Sequence, residues 1–457
     1  MDWLDTLINL LPEVRPSKKK KLGFKAKLRW TAVVLLSYLL MTHIPLWGLG
    51  QNALQQFSFL STILGASFGS LMSLGIGPIV TSSIVLQLLN GSGIIPFDTN
   101  TKKGKQRFQG TQKILAILFT FVEAIVFVFM GGLAPAQGVN PLVVIIQLFI
   151  GGMFIIYMDE IISKYGFGSG VSLFIAAGVS QQIFIQLLSP LSGPDGVPAG
   201  IVPFIFQQFV GSDVAALNEI TINILIIIAT ILVFGISIYV TAMKIEIPLS
   251  FGRVKGHGVR WPLKFMYSNV IPIIFVSALL ANIQLVGRFL ENAGNPILGT
   301  FANGQPQSGI ATYLTAPTMV EGAVTGLIDL NMVLQGLSYL TIYIVGSAIF
   351  SVFWVQSSGL DAKSQAQKMV NSGLQVPGFR RDIRVLERLL QRYIGPLSII
   401  SGIAIGLIAS VADLTQAVGT GTGILLTVMI IYRLYEEIAE QHVYDMNPAL
   451  RQFMGEK

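Results

Sequence analysis

Ten apolar runs divide this chain, and its basic residues keep to alternate gaps between them. The runs lie near 30–49, 75–90, 114–132, 141–158, 169–188, 221–243, 266–287, 332–355, 393–411 and 421–436. A helix needs about 20 such residues to cross a bilayer, and lipid offers its backbone no hydrogen-bond partner. Each run is therefore predicted to be helical or shielded by other protein. Of the 30 Lys and Arg residues, 29 lie before the first run, after an even-numbered run, or at the end of the chain from Arg433 onward. Only Arg288 falls on the other side. One span more or fewer would scramble this segregation. Cytoplasmic loops carry the excess of basic residues, so the pattern predicts ten spans with both termini in the cytoplasm.

Composition agrees. Of 457 residues, 52% are hydrophobic and 12% charged, about half the charge of a soluble domain. That excludes disorder and argues against a large soluble enzyme. With no cysteine, disulfides, thiolate metal sites and cysteine nucleophiles are excluded. The net charge of +7 belongs to the loops rather than to the spans.

The spans hold little chemistry. Glu123 is the only acid well inside a run, and Asp159 and Glu160 sit at the end of one. An acid in the bilayer needs a partner, so Glu123 reads either as a proton or cation site or, more simply, as a group bonded to a neighbouring helix. His43, His257 and His442 are too scattered for any two to share a metal. "GVSLF" at 170–174 misses a nucleophile elbow because its fifth residue is not Gly. "GTGTG" at 419–423 lacks the Lys of a phosphate loop and opens a span, as does "GFGSG" at 166–170. We therefore expect no enzyme activity, no cofactor and no metal.

Other segments stand out by pattern. Residues 1–11, with Trp3, Leu4, Leu7, Leu10 and Leu11 on one side, suit a helix lying in the cytoplasmic interface, ended by Pro12 and Pro16. No cleavage pattern follows the first run. Segment 51–72 is Gly- and Ser-rich, and reads equally as a half-helix folded back into the bundle or as an external loop. Five spans on each side of the long connection 189–220 permit an inverted duplication, on span parity alone. Ile76 and Val80, and again Val171 and Ile175, put two branched aliphatics on one face of a helix otherwise rich in small residues. Such pairs suit either a constriction or plain packing.

At these residues the sequence resembles the SecY family of protein-translocating channels, in its archaeal and eukaryotic-like form. The resemblance rests on "LGIGPIVTSSIVLQLLNGSGII" (74–95), "GFGSGVSLFIAAGVSQ" (166–181), "NVIPIIFVSALLANIQL" (269–285), "PGFRRD" (377–382) and "GTGILLTVMIIYRLYEE" (421–437), spread over the chain. It implies an all-α polytopic membrane protein: ten transmembrane helices in two pseudo-symmetric inverted five-helix halves around a central pore. The halves would be 30–188 and 221–438, joined by an external hinge loop, 189–220, and flanked by cytoplasmic tails 1–29 and 439–457.

The resemblance also assigns residues. A pore ring would comprise Ile76, Val80, Val171, Ile175, Ile274 and Leu426, a collar of inert side chains that parts around a polypeptide yet closes against ions. Segment 51–72 would be a plug, with Phe57, Leu60, Ile63 and Leu64 as its apolar residues and Gly65 and Gly69 as its swivels. Thr81 and Gln87, with Asn282 and Gln284, would supply polar groups to a lateral gate. Arg253, Lys255, Arg380 and Arg381, on cytoplasmic loops 244–264 and 356–392, would dock the ribosome. The implied partners are a SecE-like subunit, a small beta or SecG-like subunit, the ribosome, signal sequences, nascent polypeptides and membrane lipids. The implied activity is passage of unfolded secretory polypeptides across the cell membrane and release of transmembrane segments into lipid. The rival class, a secondary transporter of a small solute, fits the bundle but not the scarcity of charge inside it.

Overall fold

The computed structural model describes residues 6, 8, 10–15, 22–50, 69–91, 94–95, 97, 101–129, 133–191, 198–211, 217–251, 258–292, 294–302, 305–371, 374–375 and 382–446. Among them, ten long helices account for the ten apolar runs. In the first half these are α1 (Phe24–Thr42), α2 (Gly77–Gly91), α3 (Lys102–Phe129), α4 (Pro141–Tyr165) and α5 (Gly170–Leu188). A short helix, α6 (Ile201–Gly211), precedes the next span, α7 (Leu217–Ala242). Then come α8 (Ile271–Asn292), the short α9 (Ile310–Tyr313) and α10 (Met319–Thr325), and the spans α11 (Leu330–Ser357), α13 (Ile383–Leu414) and α14 (Gly421–Met446), with α12 (Ala362–Asn371) between the first two. Seven of these stretches are long and apolar enough to cross a membrane by themselves. The segments α1, α2 and α14 complete the ten.

Two boundaries differ from the sequence pattern. The first run, 30–49, becomes a helix that begins at Phe24 and ends at Thr42, with His43 as its cap. Pro45 cannot donate to a helix, and it bridges in extended form to Ser70 instead. The connection 189–220 contains α6, whose residues bear no charge at all.

The spans meet along small residues. At Gly402 of α13 an added Cβ would lie 2.6 Å from the Ser347 carbonyl oxygen of α11, and at Gly406 it would lie 2.5 Å from that of Tyr343. Ser347, Ser351, Ser398, Ser401 and Ser410 are buried in this region. The Ser351 hydroxyl donates to the Ser398 carbonyl at 2.5 Å. Lipid gives helices no hydrophobic reason to associate, so close approach and hydrogen bonds do that work. The first five spans meet the last five where α2 touches α11 and where α5 and α1 touch α14.

On the basic side, strands β1 (Lys244–Phe251) and β2 (Gly258–Lys264) form an antiparallel hairpin, paired from Lys244↔Lys264 to Ser250↔Gly258. A two-stranded β3 (Phe301–Ala302) and β4 (Gln305–Pro306) lies in a later connection, and β5 (Leu374–Gln375) joins the other edge of β1 through Phe251↔Leu374. The two basic loops, separate in sequence, thus share one sheet. Ile247, Leu263, Ala366, Met369 and Leu390 give them a core of their own. Lys244 and Lys264 both pair with Glu436 of α14, the first at 3.2 Å, which ties this sheet to a spanning helix.

The N-terminal segment is held to the bundle. Glu160 of α4 accepts from Lys113 at 2.8 Å, from Lys164 at 2.8 Å and from the Val14 backbone N–H at 3.1 Å. Lys113 also donates to the Pro12 carbonyl, at 2.7 Å. Ile8 packs where Gly110 of α3 leaves room for it. Of the interfacial-helix residues, Trp3, Leu4 and Leu7 lie outside the described residues, and Leu10 is exposed.

Candidate pore and gate

The six ring residues come from four helices and lie in one continuous apolar cluster. Ile76, Ile175 and Leu426 are buried in it, and Val80, Val171 and Ile274 are partly buried against it. Ile76 stands one residue ahead of α2, yet its carbonyl accepts from the Val80 N–H at 3.1 Å. That is a helical bond, so the two side chains share a face as their spacing predicts. Val171 is the second residue of α5, Ile274 lies in the first turn of α8, and Leu426 is in the second turn of α14.

Two acids position these helix starts. Ser169, the residue before α5, makes no capping bond to its own helix. Asp159 of α4 supplies the cap instead, accepting from the Val171 N–H at 2.9 Å. At the start of α14, the Asp413 carboxylate accepts from the Gly421 N–H at 2.6 Å. Its other oxygen accepts from the Tyr339 hydroxyl at 2.9 Å. A carboxylate at a helix N-terminus satisfies donors that the helix leaves free and complements its dipole. Asp413 escaped the sequence reading because it lies between two runs rather than inside one. An acid just before a Gly-rich span start was the available signal.

Glu123 has a partner on a neighbouring helix, since the Thr81 hydroxyl of α2 lies 3.3 Å from its carboxyl oxygen. That geometry matches the simpler of its two readings and turns Thr81 toward α3. Gln284 is buried, and its amide donates to Thr315 at 3.2 Å. Gln87 carries a buried carbonyl oxygen with no partner among the described residues. Asn282 is exposed. Among the described residues, no hydrogen bond joins these four gate candidates to one another.

The plug residues Phe57, Leu60, Ile63, Leu64 and Gly65 lie outside the described residues. Gly69 is described, at φ +84°, where a side chain would be strained. Its carbonyl accepts from the Leu46 N–H at 2.8 Å, so this end of segment 51–72 is fixed to the chain leaving α1. Arg253, Lys255, Arg380 and Arg381 also lie outside the described residues. Their described flanks are neighbours: Ser250 pairs with both Gly258 and Gln375, so both basic stretches leave from the same end of one sheet. No group of three or more metal-ligating side chains occurs among the described residues.

Comparison with known proteins is consistent along the whole chain. The SecY family model matches residues 70–435, and the model for the plug domain of Sec61p matches residues 36–69. The protein translocase subunit SecY of Methanothermobacter thermautotrophicus is 43% identical, covering 99% of this chain and 98% of its own. That of Methanocaldococcus jannaschii is 40% identical over the full length of both. Among solved structures, one described as a protein conducting channel superposes with a TM-score of 0.83 at 39% identity, covering 98% of this chain and 99% of its own. Sec61 from a canine ribosome-channel complex of the endoplasmic reticulum superposes with a TM-score of 0.80 at 38% identity, with the same coverage.

Proposed function

From the premise that the chain belongs to the SecY family, we propose that it is the pore-forming subunit of a protein-conducting channel. It passes unfolded secretory polypeptides across the membrane and releases transmembrane segments sideways into lipid. It is a multi-pass membrane protein, and its function is conduction rather than covalent chemistry. The observation that carries this reading is the family match over the whole chain, including the plug region, joined to six aliphatics from four helices in one cluster.

In this reading Ile76, Val80, Val171, Ile175, Ile274 and Leu426 form the collar. Branched side chains of this kind make no lasting bond to a passing chain and shed water when they close. Segment 51–72, with Phe57, Leu60, Ile63, Leu64 and Gly65, blocks the funnel, and Gly69 is its fixed end. Thr81, Gln87, Asn282 and Gln284 set how apolar a segment must be to part the gate. Their bonds to Glu123 and Thr315 make those two further gate candidates. Arg253, Lys255, Arg380 and Arg381 dock the ribosome by pairing with rRNA phosphates. A SecE-like subunit and a small beta subunit complete the assembly. The site of action is the cell membrane, with both termini in the cytoplasm; the distribution of basic residues supports that orientation.

The test is a photo-crosslinker installed in turn at Ile76, Val171 and Leu426, with a ribosome-stalled secretory chain as the target. Capture at all three positions is expected, and none from the lipid-facing Ile231. A stalled chain that never reaches any of the three would end the proposal.

A further inference from the structure

The two ends of the bundle carry the same device. Asp159, in the last third of span four, and Asp413, at the end of span nine, each cap the span that follows. In the inverted duplication that five-plus-five parity permits, span four corresponds to span nine and span five to span ten. Each carboxylate accepts from a backbone N–H in the first turn of the next span, Asp159 from Val171 at 2.9 Å and Asp413 from Gly421 at 2.6 Å, and Asp413 also accepts from the Tyr339 hydroxyl at 2.9 Å.

The glycines match as well. A Cβ on Gly170 would lie 2.5 Å from the Asp159 Cα, and one on Gly421 would lie 2.2 Å from the Ala412 Cβ and 2.6 Å from the Asp413 backbone nitrogen. In each case glycine lets the helix start approach the backbone of the capping acid. Five residues past the glycine stands a ring residue, Ile175 in α5 and Leu426 in α14. Five residues is about 7.5 Å of helix rise. The chain's parity places one device on each side of the membrane, so the two measure the same distance inward from opposite ends.

We infer that Asp159 and Asp413 are a matched pair of positioning residues that fix the height of Ile175 and Leu426, so that the two meet at one level of the collar. This rests on the ring assignment proposed above. A helix whose first turn is pinned cannot slide along its axis without giving up those bonds. A helix with a loose first turn can slide, and a ring whose members sit at different heights does not seal. The pairing therefore bears on closure of the idle channel more than on passage through the open one.

The experiment uses the full chain with its partner subunits, reconstituted in liposomes. It reads idle ion conductance and translocation of a substrate whose signal sequence has a shortened apolar core. Asp159→Ala and Asp413→Ala are each expected to raise both by about fivefold, the factor expected when one lost helix cap acts on an open–closed equilibrium. Asp159→Asn and Asp413→Asn keep an acceptor oxygen and are expected to stay near the parent. Asn140→Ala is the control. It removes an ordinary cap, on the Leu142 N–H at 3.0 Å, from a helix without a ring residue, and both readouts should stay at the parent value.

Alanine variants that lose thermal stability but seal as the control does would overturn the inference, as would Asn variants as leaky as the alanines. If the alanine variants do not accumulate, Tyr339→Phe decides. It removes the hydroxyl that donates to the Asp413 carboxylate and should raise conductance about twofold; parent-level sealing would refute the pairing. Crosslinking of a stalled chain to Ile175 and Leu426 in the parent channel is measured alongside. Its absence would strike the ring assignment, which separates that failure from failure of the pairing.

Discussion

Helices α7 and α13 both cross the membrane, and they are built on opposite plans. The apolar stretch of α7 is the most hydrophobic of the spans, yet only 17% of it is buried in the protein. Half of the corresponding stretch of α13 is buried, 50%, and the residues buried there include Ser398, Ser401, Gly402, Gly406 and Ser410. On α7, Ile228, Ile231, Leu232, Phe234 and Ile236 point outward. In water the ranking would be reversed, since burial is what apolar side chains gain from folding there. In lipid they gain nothing by turning inward, and the inside goes to whatever permits close approach and hydrogen bonding. Greasiness marks the lipid face, and smallness marks the protein face.

Substitutions can break or sharpen that contrast. The largest effect is expected at Gly406→Leu, where the first added carbon already meets the Tyr343 carbonyl at 2.5 Å. Separation of α11 from α13 should cost ~4 kcal/mol, seen as collapse of the unfolding midpoint in detergent. Ile231→Lys places a charge near the middle of α7, on the lipid side, and should cost ~3 kcal/mol in a membrane-insertion assay. A cost near zero would mean that this face is covered rather than lipid-exposed. Ser351→Ala removes the bond to the Ser398 carbonyl and should lower stability by ~1 kcal/mol. The smallest effect is expected at Ile228→Leu, within ~0.5 kcal/mol, because lipid accommodates either shape. If Ser351→Ala proved milder than Ile228→Leu, the contrast between the two helices would be lost.

Much of the architecture was legible before any coordinates. The ten runs and the placement of Lys and Arg led to ten helices, and Ile76 with Val80 shares a helical face as the spacing implied. The Glu123 carboxyl has the interhelical partner that a lone acid in lipid demands. Other features were not legible. Helix α6 was hidden in a Gly- and Pro-rich connection because its uncharged eleven residues are too few to register as a run. The sheet that joins the two basic loops depends on pairing between Phe251 and Leu374, which no local pattern encodes. Thr81 faces Glu123, and Gln284 faces Thr315, because helix rotation chose those partners from several within reach.

By itself, the sequence determined how many times the chain crosses the membrane and which connections share a side. The bilayer tests each segment separately, so length, apolarity and flanking charge suffice. Only the tertiary structure decided which faces meet, that Asp159 and Asp413 cap helices other than their own, and that six aliphatics from four helices share one cluster. Inside a span nearly every residue is apolar, so periodicity no longer separates inward from outward. What is left to choose the contacts is the fit of one helix surface against another, and that exists only once the chain has folded.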